Sequence, residues 1–287
     1  MPRVPYVDDG QIKFNPDLAV GSGTFGTVYF GSYQGTPAAV KKIPVDDSND
    51  FLHEILVCLR LSHPNIVRFL AATKKDQYIL IANEYVHGAS LHVVLHSADS
   101  PVKLEAEEKN YVALDVAMAV EYIHSKNVIH QDLKPANILI EGSSKKAYLT
   151  DWGLANVRDS VSLRQGSKIS GLLSGPLGGT AIYTAPECLL TYQPCSVHSD
   201  IWSIGITFLE LYTNTVPWSV KTCKELCQLM STEAAPNALN KFDSLCTQLI
   251  CTCLKYTPSE RISASNLVLL LKSLDNTDLK KHYGYHW

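Results

Sequence analysis

Two short segments hold most of the side chains with reactive chemistry. VIHQDLKPANILI carries His130, Asp132, Lys134 and Asn137, and YLTDWGL carries Asp151 and Gly153. Asn137 and Asp151 each bring a side-chain oxygen, the donor that hard magnesium prefers, and magnesium usually binds together with substrate phosphates. Asp132 is then left to orient a hydroxyl and accept its proton, and Lys134 can reach a phosphate in transfer. Upstream, GSGTFGTV spaces Gly21, Gly23 and Gly26 so that backbone N–H groups can approach phosphate oxygens with no Cβ in the way. The same spacing marks dinucleotide sites, where the glycines open a helix. Here TVYFGSY follows at once with β-favouring residues, which places the glycines in a hairpin between strands. AAVK then brings Lys41 and FLHEI brings Glu54. An ammonium that meets phosphates needs an anion to hold it, and a glutamate on a nearby helix supplies one. Taken singly, each of these two is an ordinary surface charge.

The elements that must position these residues change character along the chain. Val28 to Phe30, Ala38 to Val40 and Tyr78 to Ile81 read as short strands, interrupted by one helix over DFLHEILVCLRLS with Leu52, Leu56 and Leu59 on one face. Beyond about residue 88 helices dominate. EAEEKNYVALDVAMAVEYIH puts Tyr111, Leu114, Met118 and Tyr122 on one stripe, and DIWSIGITFLELYT reads as a more fully buried helix. A β-rich part followed by a helical part predicts two lobes with a ligand site at their junction. The Ser- and Gly-rich stretch from Arg158 to Gly179 has no periodicity and reads as a long functional loop.

Composition narrows the class. The 287 residues are 46% hydrophobic and 18% charged, enough apolar material for a large core and too little charge for disorder. A net charge of −3 without a basic run gives no reason to expect nucleic acid or an anionic membrane as the main partner. No apolar stretch reaches the ~18 residues of a membrane span, and the opening MPRVPYVDDGQIKF lacks a secretory core. The eight cysteines lack the spacing of a disulfide scaffold and read as reduced thiols of a cytoplasmic protein.

In order, GSGTFGTV, AAVK, FLHEI, HQDLKPAN, DWG, APE at Ala185 to Glu187 and SDIWSIG with Asp200 resemble the protein kinase family over nearly the whole chain. The resemblance implies an α+β bilobal kinase fold, with a small β-rich N-lobe at about 15–85 and a larger helical C-lobe at about 86–275. Residues 1–14 would form a leader and 276–287 a tail. It implies ATP and Mg2+ as cofactors and a protein Ser/Thr hydroxyl as substrate. Asp132, Lys134, Lys41 and Glu54 take the catalytic roles, and Asn137 and Asp151 hold the metal. The nucleotide would lie against Val20, Gly21, Ser22, Gly23, Thr24, Phe25, Gly26, Val28, Ala39, Lys41 and Leu139, with its adenine edge on the backbone at Glu84 and Val86. Glu187 would pair with Arg261, and Asp200 would support the catalytic loop. DLKPAN, and Thr180 within contact of Asp132 and Lys134, follow the serine/threonine pattern, with dual specificity as a variant of it. YQGTPAAVKK, IVRFLAAT and PLGGT resemble the Mos-like and tyrosine-kinase-like branches, which implies a role in intracellular signalling. The competing reading, a pseudokinase scaffold, is disfavoured because Lys41, Asp132, Asn137 and Asp151 are all present.

Three positions depart from the family pattern. Gln131 stands where an arginine normally clamps a phosphorylated activation loop. Trp152 replaces the phenylalanine of DFG, and Cys58 is expected to make room for it. Asn83, before the hinge, would leave a deeper pocket behind the adenine unless its side chain bonds to a neighbouring backbone group. Cys223, Cys227, Cys246, Cys251 and Cys253 are read as small buried hydrophobes rather than zinc ligands, and the ten histidines as forming no ligand pattern. Tyr283, Tyr285 and Trp287 end the chain in a segment that either docks or frays.

Overall fold

The glycine hairpin opens the architecture. In the computed structural model, which describes residues 6–8, 10–23, 26–45, 50–75, 77–157, 179–241 and 245–274, β1 (Ile12–Gly23) and β2 (Gly26–Tyr33) pair antiparallel and close at Gly23 opposite Gly26. Gly26 has φ 138°, and a Cβ there would meet the Lys42 carbonyl oxygen at 2.3 Å, so no other residue fits. With β3 (Thr36–Pro44), β4 (Phe69–Lys74) and β5 (Tyr78–Glu84) the hairpin forms a five-stranded antiparallel sheet in the order β1-β2-β3-β5-β4. β1 begins within the segment read as a leader, and before it Val7 N–H donates to the Ala72 carbonyl at 2.9 Å.

The two faces of this sheet are set by the strand period. Ala38 and Val40 pack with Ile12, Ala71, Leu80 and Ala82, while Ile43 packs with Ile55, Ile79 and Ile81. Lys41 shares parity with Ile43, so it falls on the face covered by α1 (Asp50–Cys58). That helix does not bury the leucine stripe expected of it. Glu54, Ile55, Val57 and Cys58 are buried, whereas Leu59, just past the helix end, is 43% exposed. The helix rolls so that Ile55 meets the sheet and Glu54 meets Lys41, a tertiary demand that overrides the local apolar pattern.

The helical part grows from α2 (Leu91–His96) and α3 (Ala106–Ser125), which is started by a capping box between Glu105 and Glu108. α3 is buried almost all round, including Val112, Ala113, Val116 and Ala117, rather than along the single stripe that its periodicity suggested. Three strands, β6 (Gly88–Ser90), β8 (Ile138–Glu141) and β9 (Ala147–Leu149), form one small sheet, and β7 (Val128–Ile129) pairs with β10 (Asn156–Val157). These short strands bracket the two reactive segments. The remaining helices are α4 (Pro186–Leu190), α5 (Val197–Thr213), α6 (Cys223–Ser231), α7 (Leu245–Cys253) and α8 (Ala264–Leu274). As expected from its sequence, α5 is buried from Ser199 to Leu211. Thr24, Phe25, the stretch 158–178 and the segment holding Tyr283, Tyr285 and Trp287 lie outside the described residues.

One ion pair ties α4 to the last third of the chain. Arg261, its side chain wholly buried, donates from both Nη atoms to the two Glu187 oxygens at 2.7 Å each. Its remaining donors are also used, with Nε on the Lys255 carbonyl at 2.7 Å and Nη1 on the His198 carbonyl at 2.9 Å. The pairing expected between Glu187 and Arg261 is therefore present. Removing one partner of a buried, fully bonded pair strands the other charge, which typically costs about 3–5 kcal/mol. Arg261→Ala is expected to lose stability of that order in urea unfolding, and Arg261→Lys to recover little, because an ammonium cannot reproduce the fork. An Arg261→Ala protein as stable as wild type would show that the pair contributes nothing.

Candidate functional site

Two carboxylates, one from α1 and one from the second reactive segment, meet at Lys41. Its Nζ lies 2.8 and 3.0 Å from the Glu54 oxygens and 3.0 Å from Asp151 Oδ1. Lys41 is 8% and Glu54 4% exposed. Burial opposes the lysine's charge, but the Glu54 and Asp151 carboxylates outweigh it and hold its pKa well above the usual value. Burial likewise pushes against ionisation of Asp151, yet the Lys41 ammonium keeps its carboxyl below the ordinary range. Glu54 is pushed up by burial, and Lys41 is the cation that offsets it.

A second cluster surrounds Asp132. Lys134 Nζ donates to both Asp132 oxygens at 2.9 and 2.8 Å and to Thr180 Oγ1 at 2.8 Å. Thr180 thus reaches Asp132 through the lysine. Asn137 Nδ2 donates to the Asp132 carbonyl at 2.8 Å and to its Oδ2 at 2.9 Å. Those bonds use the amide nitrogen, so Asn137 Oδ1 keeps no hydrogen-bond partner among the described residues, and neither does Asp151 Oδ2. Two uncommitted oxygens on these two residues suit a magnesium ion, the donor set expected from the sequence.

Asp200 holds the segment in place. Its carboxylate accepts from the His130 N–H at 2.8 Å and the Gln131 N–H at 2.9 Å, and His124 Nε2 lies 2.9 Å from Oδ2. Gln131 has φ 68° and Asp151 φ 66°, left-handed conformations that side chains with a Cβ rarely take. The support expected of Asp200 is therefore found at a strained turn.

Sequence reasoning placed His130 in the motif without giving it a job. The Asp132 N–H donates to His130 Nδ1 at 3.3 Å, so the ring proton sits on Nε2, which is 3.1 Å from the Thr150 carbonyl. The imidazole thereby links the turn before Asp132 to the residue before Asp151. It also lies 4.9 Å, centroid to centroid, from the buried indole of Trp152. Trp152 and Cys58 belong to the same buried cluster.

The described residues expected to contact the nucleotide lie on several strands. Val20, Gly21, Ser22 and Gly23 end β1, Gly26 and Val28 lie on β2, Ala39 on β3, and Leu139 on β8. Val28 is paired with Lys41, and Ala39 with both Phe30 and Asn83. Glu84 closes β5 and gives its N–H to the Arg68 carbonyl at 2.8 Å, whereas the Val86 N–H, past the strand, has no partner among the described residues. A free backbone N–H is what an adenine edge requires. Asn83 is half-buried and its side chain makes no hydrogen bond among the described residues, so the closure by a backbone bond is not seen.

Replacing Lys41 with methionine would leave Glu54 buried without its cation. A carboxyl whose folded pKa exceeds its unfolded value binds a proton on folding, and the stability tied to it falls as pH rises above the unfolded value. Asp151 would lose the depression that makes wild type lose stability as pH falls through its folded pKa. Both changes have one sign. Lys41→Met is expected to fall further below wild type in urea unfolding at pH 7 than at pH 5, and Lys41→Met/Glu54→Gln to lose part of that difference. Equal deficits at the two pH values would contradict the buried triad.

Comparison with known proteins gives a consistent result. A sequence profile described as protein kinase domain matches residues 14–269. The chain is 32% identical over 75% of its length to the serine/threonine-protein kinase CTR1 of Arabidopsis thaliana, covering 25% of that protein. It is 30% identical over 76% of its length to the Raf homolog serine/threonine-protein kinase of Caenorhabditis elegans, covering 27% of it. It is 29% identical over 90% of its length to mitogen-activated protein kinase kinase kinase 2 of Arabidopsis thaliana, covering 40% of it. The chain thus spans well under half the length of these relatives, whose names agree with the tyrosine-kinase-like placement.

Proposed function

The chain belongs to the protein kinase family, and from that premise we propose that it transfers the ATP γ-phosphate to a serine or threonine hydroxyl of a protein. The observation that carries this reading is the geometry around Asp132. Its carboxylate is 7% exposed and held by Lys134 and Asn137, and Lys134 in turn holds Thr180. A positioned carboxylate is what a weak nucleophile such as a hydroxyl needs, because it fixes the attack direction and takes the proton as the new bond forms. Lys134 then faces the charge that gathers on the transferred phosphoryl oxygens. Lys41, fixed by Glu54, binds nucleotide phosphates, and Val86 N–H receives the adenine edge.

ATP with magnesium would supply the phosphoryl group and the charge neutralisation that lets a hydroxyl approach it. Asn137 Oδ1 and Asp151 Oδ2 are the oxygens this chain offers to the metal. The glycine hairpin from Val20 to Val28 covers the phosphates, and Ala39 and Leu139 flank the base. We assign the catalytic domain to 15–275. Among the described residues no helix is long and apolar enough to cross a membrane. We place its action on a protein substrate in the cytoplasm by analogy with the serine/threonine kinases among its relatives.

Asp132→Asn is expected to lose at least ~10²-fold in turnover while binding ATP as wild type does, since general-base assistance is typically worth ~10²–10⁴-fold. Labelled ATP with a degenerate Ser/Thr/Tyr peptide library measures turnover and hydroxyl preference together. Near-normal turnover in the variant, or transfer to tyrosine peptides alone, would overturn the assignment.

Gln131 leads to a regulatory expectation. A neutral amide gives no charge-assisted clamp for a loop phosphate, and its backbone N–H is already fixed by Asp200. The loop acceptors Ser160, Ser162, Ser167, Ser170 and Ser174, and their basic neighbours Arg158, Arg164 and Lys168, lie outside the described residues. Phosphatase-treated enzyme is expected to keep its initial rate within about twofold, a small fraction of the ~10–10²-fold that 1–3 kcal/mol of charge-assisted bonding represents. A large drop that recovers during autophosphorylation would show that another cation replaces the clamp.

A further inference from the structure

A group of metal-ligating side chains lies outside the phosphoryl-transfer cluster. His92 and His96 stand one turn apart on α2, and Glu210 comes from α5, 114 residues after His96. One ring nitrogen from each histidine and a Glu210 oxygen all lie within 4.8 Å of one another. His96 Nε2 is 2.6 Å from Glu210 Oε1, and the two imidazole centroids are 5.0 Å apart. The other Glu210 oxygen, Oε2, accepts the Tyr183 O–H at 2.6 Å.

The carboxylate is unusually placed. Glu210 is 1% exposed, yet among the described residues its only ion-pair partner is His96, with no lysine or arginine beside it. A buried carboxylate is costly unless a cation or several donors meet it. Both histidines approach from the surface side. His92 is exposed and the His96 side chain is 25% exposed, so a dissolved ion can reach the three donors. Among the described residues this is the only group of three such ligands, and none of the cysteines joins one.

We propose that His92, His96 and Glu210 form a zinc-binding site. Imidazole nitrogen with one carboxylate oxygen is a donor set that zinc accepts, with water completing the tetrahedron. Donors at ~2.0–2.1 Å from a tetrahedral ion lie roughly 3.4 Å apart. Separations up to 4.8 Å must therefore close by on the order of an ångström, and the 2.6 Å contact between His96 and Glu210 must open by somewhat less, adjustments that fall to the two exposed imidazoles. Tyr183 fixes the orientation of the carboxylate from behind, as outer hydrogen bonds do for metal ligands. Zinc requires neutral imidazoles, so its arrival replaces the His96–Glu210 hydrogen bond and frees any proton shared between them. The sequence reading found no ligand pattern among the histidines; on this proposal His92 and His96 would be ligands whose third partner, Glu210, is distant in sequence.

The test uses the intact protein with thiols kept reduced. Zinc is titrated against a chromophoric chelator, and the bound ion is examined by X-ray absorption. One equivalent is expected with a shell of nitrogen and oxygen at ~2.0–2.1 Å and no sulfur at ~2.3 Å. His92→Ala, at an exposed position, is expected to fold as wild type and to bind zinc at least tenfold more weakly, with His96→Ala behaving alike. A shell containing sulfur, no zinc binding, or unchanged affinity in His92→Ala overturns the proposal.

Discussion

A charged lysine buried at Lys41 is the constraint around which the upper half of this molecule is arranged. An ammonium taken out of water must be met by anions, and two carboxylates meet it here at 3.0 Å or less. Meeting it fixes the parity of β3, because a one-residue slip would turn Lys41 to the other face of the sheet. It fixes the roll of α1, which gives up its leucine stripe to bring in Glu54. It also fixes the backbone at Asp151, which adopts a left-handed conformation to deliver its carboxylate. The sheet, the first helix and the second reactive segment are therefore coupled through one nitrogen atom.

The lower half rests on Asp200 in a similar way. A single side chain 1% exposed accepts two successive backbone N–H groups and contacts His124. Those bonds stabilise Gln131 in a conformation that costs about 1–3 kcal/mol when unsupported. His130 then carries the constraint across to Thr150, so the two reactive segments share one frame.

Much of this was legible in the residues. The glycines before a β-favouring run placed the hairpin, and the spacing of HQDLKPAN and DWG named the side chains that the fold brings together. The pairing of Glu187 with Arg261 and the support from Asp200 followed from the family pattern. What could not be read was anything decided by contacts distant in sequence. The buried face of α1 is chosen by Lys41 and by the sheet, not by its own periodicity. α3 looked one-sided because Ala113, Ala117 and Ala119 carry little hydrophobic weight, yet they pack closely on every side. His130 gave no signal, since a histidine beside an aspartate serves many purposes until its two ring nitrogens have partners.

Trp152 gives the molecule a built-in optical gauge. Its indole is buried against an imidazole ring, so its emission is expected to lie at short wavelength. The two other described tryptophans, Trp202 and Trp218, sit together in a separate cluster in the helical part, away from the turn that carries Asp151. Any rearrangement that expels the residue after Asp151 from its slot would move this one fluorophore into water and shift its emission to longer wavelength. A phenylalanine at the same place would be spectroscopically silent. The substitution thus lets the position of the turn that carries Asp151 be followed in real time, without a label, in the unmodified chain.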